Sequence, residues 1–86
     1  MRIFKYQLEI KDEQKIQMPK GATILSVAVQ GGTICVWALA NEVSVLVNRQ
    51  FAIHGTGERV THTLRKKFLG TVIMTPFIWH VFEVAL

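Results

Sequence analysis

The sequence predicts an all-β fold: a single small antiparallel β-sandwich or barrel of about seven strands. Three observations carry that prediction. Apolar and polar residues alternate with period two through several short runs. Turn-forming residues recur every few positions, and one pair, Gly31-Gly32, joins two β-rich runs directly. No segment shows convincing helical spacing. Eighty-six residues make one domain, 1–86, without room for a second core.

Phe4, Tyr6, Leu8 and Ile10 alternate with Lys5, Gln7 and Glu9, the pattern of a half-buried strand. Lys11-Asp12-Glu13 is a polar turn, and Gln14 to Met18 is a short strand with Ile16 and Met18 inward. Pro19-Lys20-Gly21 is turn chemistry, Pro fixing φ and Gly accepting a positive one. Thr23 to Gln30 and Thr33 to Ala40 then form a hairpin across Gly31-Gly32. Pairing Gln30 with Thr33 sets Val29 opposite Ile34, Val27 opposite Val36 and Leu25 opposite Ala38. On the other face Ala28 meets Cys35, Ser26 meets Trp37, and Ile24 meets Leu39. Both faces are apolar, so one is core and the other requires a second sheet, a helix or another subunit.

Glu42 to Asn48 alternates again, with Val43, Val45 and Val47 on one side. Arg49 to His54 reads as a further strand, closed by Gly55-Thr56-Gly57. Val60 to Lys67 is the one stretch suited to a helical turn. Phe68 to Met74 and Phe77 to Val84 make the closing pair around Thr75-Pro76. Phe77, Trp79 and Val81 share one face of the last strand, and Ile78, His80, Phe82 and Val84 the other. So many two-faced strands are hard to cover in a small domain, which predicts a homo-oligomer, a dimer or higher. Trp37 and Trp79 are expected to be mostly buried.

Half the residues are hydrophobic and 19% are charged, which excludes intrinsic disorder. The longest unbroken apolar run, Ile34 to Ala40, falls far short of the roughly 20 residues that span a bilayer, so no membrane role is expected. The first residues carry charge where a signal peptide needs an apolar stretch, and they read as mature sequence. A single cysteine, Cys35, suits a reducing bacterial cytosol and is expected to be a buried, inert thiol.

The net charge of +4 is concentrated in residues 54–67, where Arg59, Arg65, Lys66 and Lys67 face only Glu58. His54 and His62 add to it below about pH 6.5. Such a patch attracts phosphate, nucleic acid or an acidic protein face, or simply keeps an apolar domain soluble. His54-Gly55-Thr56-Gly57 is the most pointed local feature, because two glycines around a hydroxyl allow an anion-binding nest beside those cations. It is neither a P-loop nor a dinucleotide fingerprint, and the simpler reading is a strand-ending turn with two positive φ values. Phe77 and Trp79 form a possible interface, although no RNA-recognition motif accompanies them.

Catalysis finds little support. Three histidines could in principle bind zinc, but none has a second ligand at short metal-site spacing, and His80, set among large apolar residues, reads as a packed or capping side chain. Asp12 and Glu13 are adjacent in a turn and point apart, so no carboxylate pair for acid–base work is visible. The expectation is a protein that is not an enzyme, with no metal and no cofactor.

Several fragments together resemble a family of short, functionally uncharacterised proteins found mainly in phages and prophages. They are Ile3-Phe4-Lys5-Tyr6, Met18-Pro19-Lys20-Gly21-Ala22 leading into Ile24-Leu25-Ser26-Val27, and Cys35-Val36-Trp37-Ala38-Leu39. Gly55-Thr56-Gly57, Phe68-Leu69-Gly70-Thr71 and Phe77-Ile78-Trp79-His80-Val81-Phe82-Glu83 complete the set. Residues 58–67 lie outside the matching pattern. The resemblance implies a phage or prophage accessory protein that inhibits a bacterial antiviral system by binding. The partner would be a host protein effector, or an anionic nucleotide held at His54, Gly55, Thr56 and Gly57 with Arg59, Arg65, Lys66 and Lys67. A small nucleic-acid-binding module and a virion structural or assembly component are the alternatives.

Overall fold

A computed structural model describes residues 1–85 and shows two antiparallel sheets packed face to face. The strands are β1 (Arg2–Leu8), β2 (Gln14–Pro19), β3 (Thr23–Gln30), β4 (Thr33–Ala40), β5 (Leu46–Gly55), β6 (Lys66–Met74) and β7 (Phe77–Val84). A single 3-10 turn, Thr63–Arg65, precedes β6. One sheet has the order β1-β4-β3 and the other β2-β5-β7-β6, and they form an open sandwich rather than a closed barrel. No helix among the described residues is long and apolar enough to cross a membrane.

The inner faces follow the period-two pattern. Phe4, Tyr6 and Leu8 of β1 join Ile34, Val36, Ala38 and Ala40 of β4 and Ile24, Val27 and Val29 of β3. Against them lie Ile16 and Met18 of β2, Phe51 and Ile53 of β5, Val81 and Trp79 of β7, and Leu69, Val72 and Met74 of β6. Phe51, Met18, Ile34 and Val36 are fully buried, and removing a side chain of that kind costs about 3–5 kcal/mol for an aromatic. Gly31 (φ 58°) and Gly32 (φ 75°) supply the two positive φ angles that a tight hairpin turn needs between β3 and β4.

Near that turn the hairpin follows the predicted register, with Val29 opposite Ile34, Ala28 opposite Cys35 and Ser26 opposite Trp37. Further along, a bulge at Leu25 slips the pairing by one, so Ile24 rather than Leu25 faces Ala38 and enters the core. A second bulge, at Leu69, interrupts β6 against β7. Both bulges sit on edge strands that meet at one side of the sandwich, where a side chain on Gly70 would touch Val27 Cβ at 3.5 Å. The extra residue increases local twist and bends each edge. No second strand then pairs with either edge in the described residues, which keeps the two sheets distinct.

Inside one end of the sandwich, Arg49 and Glu83 form a half-buried bidentate ion pair. Arg49 Nη2 donates to Glu83 Oε1 at 2.9 Å, Nε donates to Oε2, and Nη1 donates to the Ala22 carbonyl at 2.8 Å. One guanidinium thereby ties β5, β7 and the segment entering β3. The hydrogen-bonded carboxylate holds Arg49 above its ordinary pKa, against partial burial.

Four sequence expectations need correction. Val43 and Val45 are 83% and 69% exposed, because Asn41 turns the chain there: its side chain accepts from Val43 N and its carbonyl from Ser44 N. The strand begins at Leu46 and runs unbroken to Gly55, so the two predicted strands are one. The first strand ends at Leu8, leaving Ile10 exposed. Trp37 and Trp79 are half-buried rather than buried. Trp37 faces outward from the three-stranded sheet beside Lys5, whose Nζ reaches across β4 to Gln30 Oε1 at 2.8 Å. Trp79 lies at the edge of the core.

Candidate functional site

The outward face of the four-stranded sheet carries most of the chemistry. Strict alternation along β5 puts Phe51 and Ile53 in the core and turns Ala52 and His54 to the opposite side. The β5–β7 register sets His54 directly opposite His80, and Thr71 of β6 completes the row. Phe68 and Phe82 neighbour this row, with ring centroids 5.6 Å apart, and Phe82 lies 5.9 Å from His54. Segment 56–62 folds back onto this face. Glu58 reaches His54, and Lys66 Nζ donates to the Thr61 carbonyl at 2.7 Å.

The Gly55-Thr56-Gly57 turn closes differently from an anion nest. Only Gly57 has positive φ (87°), while Gly55 stays outside that region. Glu58 N donates to the Gly55 carbonyl at 3.1 Å, and Gly55 N donates to Glu58 Oε2 at 2.8 Å. The turn therefore supplies its own carboxylate to the amide that an external anion would need. Glu58 Oε1 also lies 2.8 Å from His54 Nδ1. The imidazole beside it, then the Gly55 amide, hold Glu58 below the ordinary carboxylate range. Gly55 is wanted for space as well as shape: a Cβ there would meet Trp79 Cζ3 at 3.2 Å.

Asp12 joins this pair from the other end of the chain. The β2–β5 ladder extends into the preceding turn, where Ile53 N donates to the Lys11 carbonyl. Asp12, His54 and Glu58 thus come together with one ligand-type atom from each within 4.8 Å of the others. A cavity beside them is lined also by Glu13, Arg59, Thr61 and Lys66. His54 is 94% buried, on its 6% exposure, and its Nε2 has no hydrogen-bond partner. Sequence reasoning passed over Asp12 and Glu58. Glu58 left a signal, four residues after His54, whereas Asp12 is placed only by the strand pairing.

His80 is held by two hydroxyls: Thr56 Oγ1 lies 2.9 Å from Nε2 and Thr71 Oγ1 2.9 Å from Nδ1. It is a fastened side chain on the outward face. The four cations line two cavities that share Lys66, one with Arg59 and the other with Arg65 and Lys67. Arg59 and Lys66 line the His54 cavity, Arg65 donates twice to the Ala85 carbonyl, and Lys67 pairs along the ladder with Glu83.

A second feature lies at the tip of the β6–β7 hairpin. Phe77 stacks on Trp79 at 5.8 Å between centroids and 29° between planes. Ile73, Phe77 and Ile78 are 69%, 59% and 42% exposed. A shallow cleft of about 240 Å³ runs beside them, lined by Gly55, Thr56, Pro76, Phe77, Ile78 and Trp79. Phe77 and Trp79, named together from their alternation, are brought together here.

No curated protein and no solved structure matches this chain. One family does, along all of residues 1–86, and the chain belongs to it: the family described as Domain of unknown function (DUF7352).

Proposed function

We propose that the protein is a non-enzymatic binding module that engages a bacterial protein through the tip of the β6–β7 hairpin. In this reading it is a phage or prophage accessory protein that inhibits an antiviral defence system by occupying one of its effectors. The observation that carries the reading is the hairpin tip itself. Ile73, Phe77 and Ile78 stay largely in water although the sandwich has a core to bury them in. A rigid stacked aromatic beside a cleft is the form that an interface anchor takes. The cations give less support to a bound nucleotide. Arg59 lines one cavity and Arg65 and Lys67 another, with Lys66 on both, and the Gly55 amide already donates to Glu58.

The test compares the protein with a Phe77→Ser/Ile78→Ser variant in affinity capture from bacterial cells. Both side chains are mostly exposed, so the variant keeps its circular dichroism spectrum and its fold. The expected result is one stoichiometric bacterial protein retained by the parent and lost by the variant. Equal retention by both would overturn the hairpin as the binding face. A nucleotide released from the parent on denaturation, with no protein retained, would replace the reading with sequestration of a signal.

A further inference from the structure

We propose that the free edge of β1 docks β1 of a second copy of this chain. The two strands pair antiparallel and join the three-stranded sheets into one of six strands. Strand β1 pairs only with β4, so every second residue of it turns its N–H and C=O away from the sheet. Among the described residues, no other segment gives those groups a backbone partner. The four edges of the sandwich differ in how they meet this hazard. β3 and β6 are bulged and lie against each other. β2 is shorter and ends on Pro19, which has no N–H to donate. β1 has neither device, and its register runs without a shift from Arg2 opposite Ala40 to Leu8 opposite Ile34.

Charge selects a second copy as the occupant. β1 carries Arg2 and Lys5 and no acid, whereas the turn that follows carries Glu9, Asp12 and Glu13 against Lys11. Glu42 takes up part of the Arg2 charge and Lys11 part of that of Glu9, and the bias along the strand remains. A two-fold axis that sets the strands antiparallel lays the basic half of each beside the acidic end of the other. The edge is therefore complementary to itself. Lys5 stands mid-strand, where a lysine ordinarily deters pairing. Its Nζ is instead drawn across β4 to Gln30 Oε1 at 2.8 Å, away from the edge.

Apolar surface at the same edge points the same way. Phe4 and Tyr6, with ring centroids 6.5 Å apart, pack against the core and yet are only half-buried. They belong to the side of the sandwich where β1 and β2 stay largely apart, whereas β3 and β6 close the other side. Seven paired residues at about 3.3 Å each give a seam of roughly 23 Å, small enough for a reversible dimer. β1 and the β6–β7 hairpin belong to different sheets, so the pairing leaves Phe77 and Ile78 free.

The test is sedimentation equilibrium of the full chain over a concentration series at low and high salt, with backbone hydrogen exchange at both extremes. The expected result is a monomer–dimer equilibrium that added salt weakens. Alternate amides of β1 should gain protection in the concentrated sample alone. Ile3→Lys/Gln7→Lys adds like charges along the seam and should weaken the dimer by about tenfold or more. Ile3 is 62% exposed and Gln7 is exposed as well, so this variant keeps its fold. Phe77→Ser/Ile78→Ser should leave the equilibrium unchanged, which separates this edge from the hairpin tip. A monomer at every concentration up to about 1 mM would overturn the pairing. A dimer that the Ile3→Lys/Gln7→Lys variant still forms equally well, or whose protection falls on β2, β6 or β7, would overturn it too. Protection of β1 that appears only with a captured bacterial protein would reassign the edge to that protein.

Discussion

The Arg49–Glu83 pair allows the packing to be tested quantitatively. Both side chains are about one-fifth exposed, at 21% and 19%, so the pair stands between a surface bridge and a buried one. Exposed pairs contribute roughly 0–1 kcal/mol, and breaking a fully buried one costs about 3–5 kcal/mol. Glu83→Gln keeps the shape and one acceptor, so it should cost about 1–2 kcal/mol. Arg49→Met removes three donated hydrogen bonds and strands both Glu83 and the Ala22 carbonyl. Its cost should be larger, about 2–3 kcal/mol. The double variant should fall short of the sum by about 1 kcal/mol, because the bond to Ala22 is the one part Glu83 does not share. Urea unfolding at neutral pH gives all four free energies, and each kcal/mol should move Tm by about 4–8 °C in a domain of this size. A coupling of zero, with both single variants within about 0.5 kcal/mol of the parent, would refute the pair as the tie between the sheets.

Four further outcomes follow from named contacts. Gly55→Ala should push a methyl against Trp79 Cζ3 and cost about 1 kcal/mol, with a shift in tryptophan emission that Gly57→Ala does not share. Replacing Gly31 and Gly32 together by Ala should destabilise the protein by about 1–2 kcal/mol per position in thermal unfolding, whereas Asn at Gly31 is better tolerated. Trp79→Ala should cost about 2 kcal/mol in urea, less than a fully buried aromatic, because the ring is only half-buried. Glu42 is held below the ordinary carboxylate range, first by its hydrogen bond from Arg2. A depressed carboxylate stabilises the fold above its ordinary pKa and loses that contribution as pH falls through the lowered value. NMR titration should therefore place the Glu42 midpoint below the ordinary glutamate value, and Arg2→Ala should raise it toward that value.

The fold was legible where one face of a strand meets the core and the other meets water. Alternation identified the inner residues of β1 and β2 and separated the two faces of β7, and Gly31-Gly32 set the β3–β4 register near its turn. It failed where tertiary contacts choose between local options. Leu25 and Ile24 are both apolar, so nothing local places the bulge that swaps them. It is resolved only where β3 meets β6. Val43 and Val45 mimic a strand because β-branched residues also occur in turns, and the Asn41 side chain decides the matter. At the site, alternation shows that His54 turns away from Phe51 and Ile53. The arrival of Asp12 depends on a ladder between strands that are distant in sequence, pairing Gln14 with Phe51 and Pro19 with Leu46. Charge counting located the cations but not their partners: Arg65 is engaged by the Ala85 carbonyl and Lys66 by that of Thr61.

The account rests most heavily on the exposed hairpin tip as the working surface. The direct measurement is native mass spectrometry of the protein purified from bacterial cells beside its Phe77→Ser/Ile78→Ser variant. The account predicts a defined complex with a bacterial protein that the variant does not form. The same complex in both samples, or a parent that carries only a released nucleotide, would contradict it.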